Sequence, residues 1–281
     1  MAGSRAPAVA GTFYPADAEE LKRLIGECLV SSPLGPRGTH ATPPNLLGGV
    51  VPHAGYIYSG PCAAHFYATV EKETQSVIVC GVNHGAKGSR AAVSGAGFWE
   101  MPLGKAVVAR EIEDQLGAKV DFLRVDARAH RDEHSIEVQV PFLQTILPQF
   151  SFVPLLLGHL GASECAQLGR ALAEAYEAQV AAGRKTILLA SSDLNHYLPP
   201  QETERLDAVA LARVLALDPV GLLNTVKEHG ISMCGVIPTA VLLFAARNLG
   251  AAKAPLRKHC HPADAVPMRE VVGCASVAIE F

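Results

Sequence analysis

The sequence comprises 281 residues, of which 49% are hydrophobic and 18% are charged, with a formal net charge of −3. Soluble domains average about 25% charged residues, so this composition excludes a disordered chain and indicates a large buried core. The charge argues against a broad basic nucleic-acid surface and against a polybasic membrane anchor. We therefore expect neither nucleic acid nor membrane as a partner.

The N-terminal residues lack the apolar core of a signal peptide. A long stretch free of Asp, Glu, Lys and Arg, residues 138–163, contains three prolines and so does not form a membrane helix. The chain has 7 cysteines, an odd number. Without a secretion signal, we expect reduced thiols and a cytoplasmic location.

Short apolar runs alternate with helical patterns along the chain. The spacing of apolar residues predicts a helix over 16–29, and the segment 31–49, rich in Pro, Gly and Ser, predicts a surface loop. Strands buried on both faces are predicted at Leu47–Val51, Val77–Val82, Phe152–Leu157 and Thr186–Ala190. Helical patterns follow at Cys62–Val70, Ala162–Val180, Ala208–Leu215 and Val236–Ala246. This alternation predicts an α/β fold whose sheet is covered by helices on both faces.

Polar clusters follow three of these strands. His53 comes after the first, His84 after the second, and Asp193 and His196 after the last. Ligands of such sheets bind beyond the carboxyl ends of the strands. If the three strands are parallel neighbours, these side chains converge on one site.

Each candidate also has a purely structural interpretation. Asp193 is predicted at a helix start, where it would serve as an N-cap or orient His196 as a base. Glu133 and His134 open a helical pattern, and the helix dipole favours acids in a first helical turn. Alternatively, both side chains point into a cleft. Cys234 precedes an apolar helix. It is either an inert buried thiol, or it serves as a metal ligand or a nucleophile. The run at 259–261 predicts a loop.

Familiar cofactor and hydrolase motifs are missing from the sequence. It contains no G-x-G-x-x-G, Walker-type or G-x-S-x-G motif. It also lacks a C-x-x-C pair, which argues against a structural zinc site of the usual spacing.

The chain resembles the MEMO family, called AmmeMemoRadiSam system protein B in prokaryotes. The resemblance runs nearly end to end and rests on motifs in the expected order, at 10–15, 52–60, 83–85, 99–104, 132–137, 191–196 and 234–235. It implies one domain over residues 1–281, a three-layer sandwich with a central mixed or mostly parallel sheet.

This family is similar in fold to class III extradiol dioxygenases, which hold non-heme Fe(II) by two histidines and a carboxylate. The resemblance implies that His53 and His84 match the histidine ligands and that Cys234 stands in place of the carboxylate. His196 matches the acid/base histidine, with Asp193 beside it. The chain departs from the family pattern at Val82, at Cys274 and across 259–268, changes that concern the far side of the pocket.

Three functions are compatible with these residues. The first is a metal protein with Fe(II), Cu or Zn at His53, His84 and Cys234, acting as a redox enzyme on a small substrate with His196 as acid/base. The second is a metal-free module that binds a peptide or protein in the same cleft. The third is a hydrolase, with Glu133 as base for a zinc-bound water or with Cys234 as nucleophile and His196 as base. The family name further implies radical-SAM and AMMECR-type partner proteins.

Overall fold

The structure, a computed structural model, describes residues 3–38, 43 and 45–281. The strands of this part of the chain are β1 (Ser4–Arg5), β2 (Leu46–Val51), β3 (Ser76–Val82), β4 (Ala91–Val93), β5 (Phe98–Met101), β6 (Gly104–Val108), β7 (Arg124–Val125), β8 (Ser151–Leu157), β9 (Thr186–Ser191), β10 (His196–Leu198), β11 (Leu256–Cys260), β12 (Val271–Val272) and β13 (Cys274–Glu280). The helices are α1 (Ala18–Val30), α2 (Tyr56–Tyr67), α3 (Arg110–Lys119), α4 (Ala127–His130), α5 (Val140–Ile146), α6 (Ala162–Ala181), α7 (Pro200–Leu215), α8 (Pro219–His229) and α9 (Val236–Asn248). Short 3-10 turns lie at Glu137–Gln139 and Pro262–Asp264.

The centre of the molecule is a mixed, mostly parallel sheet. Its strands follow the order β1-β5-β6-β8-β3-β9-β2-β13-β11, and β4 joins β8 as a branch. The four strands β8, β3, β9 and β2 run parallel to one another, whereas β13 and β11 are antiparallel at one end. Strands β10 and β12 form a separate antiparallel pair.

Helices cover both faces of this sheet, which confirms the predicted fold class. Alternate residues of a strand point to opposite faces. In β3, Ile78 and Cys80 pack among α3 and α6–α9, while Val77 and Val79 pack among α1, α2 and α5. Continuous apolar runs are therefore required here, because each face of each central strand meets its own layer of helices.

The four predicted strands agree with the structure to within one residue at each end. The predicted helix at 16–29 is α1, which begins after Asp17, whose carboxylate accepts from the N–H groups of Glu19 and Glu20. Part of the predicted loop at 31–49, residues 39–42 and 44, lies outside the described residues.

Two predictions near the polar clusters are wrong. Asp193 does not begin a helix, because α7 starts only at Pro200 and His196 opens the short strand β10. The run at 259–261 is not a loop, because His259 and Cys260 belong to β11 and pair with β13. None of the helices in the described part of the chain has the length and apolar character needed to cross a bilayer.

Candidate metal centre

The three strand ends meet at one edge of the sheet, as the strand pattern predicts. Val51 of β2 lies in register with Ser191 of β9, and Ala190 of β9 with Cys80 of β3. The side chains that follow these strands therefore open into one cavity of about 620 Å³. Its lining includes His53, His84, His134, Asp193, His196 and Cys234. We call His53, His84, Asp193 and Cys234 the near wall of this cavity.

The orientation and tautomer of His53 are fixed from behind by Ser191. The Ser191 hydroxyl donates its single proton to the Ser135 carbonyl at 2.6 Å and accepts from Gln139 Nε2 at 2.8 Å. His53 Nδ1, 2.9 Å from the same oxygen, must therefore be the donor. The proton on Nδ1 leaves the lone pair of Nε2 free, and Nε2 is the atom that faces Cys234.

His84 is held in the same way, by a carboxylate. His84 Nδ1 lies 2.9 Å from Glu133 Oε1, and its backbone N–H donates to Oε2 at 2.8 Å. The N–H groups of His134 and Ser135 also donate to Oε1. Burial opposes ionisation of Glu133, but these hydrogen bonds, that of His84 foremost, lower its pKa to about 2. The carboxylate therefore only accepts, and His84 Nε2 remains free.

Cys234 reaches the histidines from the start of α9. Its Sγ lies 3.2 Å from His53 Nε2 and 3.7 Å from the carbonyl oxygen of Asp193. Gly235 allows this approach, because a Cβ there would lie 2.3 Å from that of Ser192. Burial and the charge of Asp193 raise the pKa of the Cys234 thiol. A free thiolate nucleophile is disfavoured under these conditions, whereas a coordinating thiol is deprotonated outright.

The donor atoms of His53, His84 and Cys234 all lie within 4.8 Å of one another. Two overlapping groups meet the same criterion in the described part of the chain, Asp193 with His196 and Cys234, and His84 with Glu133 and His134. The cavity thus concentrates nitrogen, sulfur and oxygen donors suited to a transition metal.

The buried imidazoles favour the neutral form that metal binding requires. Burial, together with the neighbouring His84, lowers the pKa of His53 to about 3. Burial and the proximity of His53 lower the pKa of His134 to about 4. The ring of His134 stacks on that of His84, with centroids 4.6 Å apart.

Asp193 and His196 have different hydrogen-bond partners. Asp193 Oδ1 accepts from the N–H groups of His53 at 2.8 Å and Ala54 at 3.3 Å, which fixes the turn after β2. His196 Nδ1 lies 2.9 Å from the Ser232 carbonyl, which can only accept. His196 Nδ1 therefore carries a proton, and in the neutral ring Nε2 is the basic nitrogen beside the cavity.

Several residues that support the site were not singled out from the sequence. Asn195 Oδ1 accepts from both the N–H and the hydroxyl of Ser232 and so secures the carbonyl partner of His196. Ser191 lies inside the family motif at 191–196. Its role in orienting His53 depends on a hydrogen bond from Gln139, and nothing in the sequence around Gln139 indicates that contact. The contacts join segments far apart in the chain, so spacing alone could not identify them.

The opposite side of the cavity, which we call the far wall, consists of β10 and residues 262–274, which include β12. Tyr197 and Met268 border the cavity here with 72% and 42% of their surfaces exposed. Tyr197 also has a left-handed backbone, with φ of 56°. The departures from the family pattern at Cys274 and 259–268 fall on or next to this wall. The departure at Val82 does not, because Val82 ends β3 two residues before His84.

Comparison with known proteins identifies the family. The sequence profile described as Memo-like protein matches residues 5–278. This chain belongs to the MEMO1 family. A MEMO1 family protein of Methanopyrus kandleri is 38% identical over 280 residues, covering 97% of this chain and 98% of the relative. One from Pyrobaculum aerophilum is 39% identical with the same coverage, and one from Ignicoccus hospitalis is 40% identical over 281 residues, covering 97% of each chain. The MEMO1 family match thus includes the complete near wall and far wall.

Proposed function

We propose that this MEMO1 family protein binds a divalent transition metal through His53, His84 and Cys234 and acts as an oxidoreductase on a small molecule held in the cavity. Fe(II) is the first candidate, with Cu or Zn as alternatives. The observation that carries the proposal is the approach of one donor atom from each residue to within 4.8 Å of the others.

The hydrogen bonds behind the ligands support this choice of donors. Metal-binding histidines usually donate their second ring N–H to a carboxylate or another acceptor. His53 does so to Ser191 and His84 to Glu133, so both direct Nε2 to the same place. Glu133 itself is a poorer ligand, because its two oxygens already accept four N–H groups. We assign it the role of positioning His84.

A metal ion bound here would supply Lewis acidity and, as iron or copper, one-electron redox chemistry. Among the protein groups, His196 offers a free Nε2 beside the cavity and would accept a proton from a substrate hydroxyl or similar group. Asp193 fixes the turn that carries His53. The rings of His134 and Phe13 lie 4.7 Å apart and border the cavity beside His84.

Metal content tests the ligand set. The protein is purified without oxygen and without a metal-affinity column, and its iron, copper and zinc are measured. We expect near-stoichiometric metal in the wild type and its loss in His53→Ala and in Cys234→Ser. His196→Ala, which alters the same cavity but not the ligand set, and Cys165→Ser, which removes a buried thiol elsewhere, should retain the metal.

Two results would contradict the proposal. One is wild-type metal content in both ligand variants, provided that circular dichroism shows them folded. The other is a wild-type protein that binds none of Fe(II), Cu or Zn after anaerobic reconstitution.

A second candidate function is favoured by the rim of the cavity. Tyr58, Tyr197 and Met268 border it with 47%, 72% and 42% of their surfaces exposed. Exposed apolar groups around a cleft are typical of surfaces that bind a partner, here an extended peptide. This function predicts that His53→Ala and Cys234→Ser retain affinity for a peptide selected from a random library, whereas Tyr197→Ala loses it.

A further inference from the structure

Three buried cysteines form a cluster behind the far wall. Cys62 belongs to α2, Cys260 to β11 and Cys274 to β13, and their exposed fractions are 0%, 4% and 1%. Of the three, Cys274 borders the cavity. All three are free thiols, and the proposed metal centre uses none of them.

The geometry of Cys260 and Cys274 suits a disulfide. They lie directly opposite each other in the antiparallel ladder of β11 and β13. Opposed residues of such a ladder have Cα atoms about 4.5 or 5.5 Å apart and side chains on the same face. Both separations fall within the range of about 4.4–6.8 Å that disulfides require. A bond between the two sulfurs would therefore need no change in strand pairing.

Cys62 lies over the same face of this ladder. Its Sγ is 3.9 Å from the Lys258 carbonyl oxygen and 4.0 Å from Ser276 Oγ. These two residues form the cross-strand pair two positions along the ladder from Cys260 and Cys274. The hydrogen bond with Cys62 lowers the pKa of the Cys260 thiol against the effect of burial, and Lys258 adds to this. Burial raises the pKa of Cys62 and Cys274, so Cys260 ionises most readily of the three thiols.

We propose that Cys260 and Cys274 form a second redox site, a dithiol that hydrogen peroxide oxidises to a disulfide. The Cys260 sulfur attacks one peroxide oxygen, the O–O bond breaks, and water leaves with the thiol proton. The Cys274 sulfur then attacks the resulting sulfenic acid, the S–O bond breaks, and a second water leaves with the proton of Cys274. The two thiols supply the two electrons that reduce one peroxide to two waters.

This site would couple to the cavity through Cys274. Cys274 Sγ lies 3.8 Å from the Val272 carbonyl oxygen, and Val272 also lines the cavity. Oxidation of Cys274 would therefore displace Val272 of β12, which belongs to the far wall. The inference does not depend on the proposed metal centre, because it involves no metal ligand.

Disulfide mapping tests the proposal. The full chain is reduced, freed of metal with a chelator and treated with one equivalent of hydrogen peroxide. It is then alkylated under denaturing conditions, digested and examined by mass spectrometry. We expect two of the 7 cysteines to become protected and a cross-linked peptide to join Cys260 to Cys274.

Variants locate the reacting sulfurs. Cys260→Ser and Cys274→Ser should each abolish the cross-link, and Cys80→Ser, which removes another buried thiol, should leave it unchanged. Cys62→Ala should slow its formation severalfold, because the hydrogen bond to Cys260 is lost.

A wild-type protein without a cross-link would overturn the proposal, as would a cross-link between Cys62 and Cys260. Because the wild-type result alone decides this, the inference stays testable even if a serine variant fails to fold.

Discussion

The two walls of the cavity are built in different ways. The near wall is formed by the ends of three neighbouring parallel strands and the start of α9, and its histidines are fixed by Ser191 and Glu133 from behind. The far wall rests on the separate pair of β10 and β12, and its residues Tyr197 and Met268 are largely exposed. This difference indicates that the proposed metal ligands lie on the rigid side, whereas ligand selection, together with the base His196, belongs to the exposed side.

The largest effect is expected from the ion pair behind the near wall. Glu137 is fully buried, pairs with Arg5 at 2.6 Å and accepts from Tyr14 Oη at 2.5 Å. Arg5 also donates to the carbonyls of His130 and Glu133. Glu137→Ala leaves the guanidinium buried without its partner, so we expect the free energy of unfolding to fall by about 3–5 kcal/mol.

Urea denaturation measures this loss. The control is Glu202→Ala, which removes an exposed pair with Arg205 and should change the free energy of unfolding far less, because solvent screens such a pair. Equal effects of the two substitutions would show that this buried pair contributes no more to stability than an exposed one.

The next effect concerns the metal itself. Glu133→Gln removes the charge that holds His84, and loss of such a partner typically lowers metal affinity about 10–100-fold. We expect this decrease in competition titrations with a zinc chelator. Asp132→Asn, at an adjacent exposed carboxylate, should leave the affinity unchanged. An unchanged affinity in Glu133→Gln would remove the positioning role assigned to Glu133.

The near wall was largely predictable from the sequence, because its signals are local. Each buried strand is a continuous apolar run, and the histidines follow the strands within two residues. The partners behind them were not predictable, since Glu133 lies 49 positions from His84 and Gln139 lies 52 from Ser191. Such contacts exist only once the sheet and the loop before α5 have assembled.

Two local signals, at Asp193 of the near wall and at Cys260 behind the far wall, are overridden by tertiary contacts in the same way. Asp193 was expected to cap a helix, but its carboxylate accepts N–H groups from another strand end, so the local signal lost to a tertiary contact. Cys260 lies in a run that predicts a loop, yet β13 supplies the pairing partner that makes it a strand. Strand propensity depends on what the neighbouring strand offers.

A smaller effect of pH on stability is expected at His259 of β11, which lies behind the far wall. His259 Nε2 lies 2.9 Å from Oδ2 of the buried Asp207, and this hydrogen bond raises the His259 pKa against the effect of burial. The charges of Asp207, Cys260 and Glu204 act in the same direction. The folded pKa therefore exceeds the unfolded value of about 6.5. The stabilisation is complete below that value and is lost as the pH rises through the folded pKa.

Chemical denaturation of the wild type and His259→Gln at about pH 5.5 and about pH 9 checks the sign. We expect the stability difference between the two proteins to be larger at the lower pH. A difference that is constant, or larger at the higher pH, would mean that the imidazole is not charged in the folded protein.

The smallest effect tests whether strain in the far wall serves ligand binding. A left-handed backbone costs a residue such as Tyr197 about 1–2 kcal/mol, whereas Asn adopts it readily. Tyr197→Asn should therefore raise the free energy of unfolding by up to about 1 kcal/mol, because the exposed ring contributes little burial. Tyr197→Ala keeps the strain and should give no such gain. If both variants bind the cavity ligand as well as the wild type does, the strain is not retained for binding, and the far wall loses its assigned role in selecting the ligand.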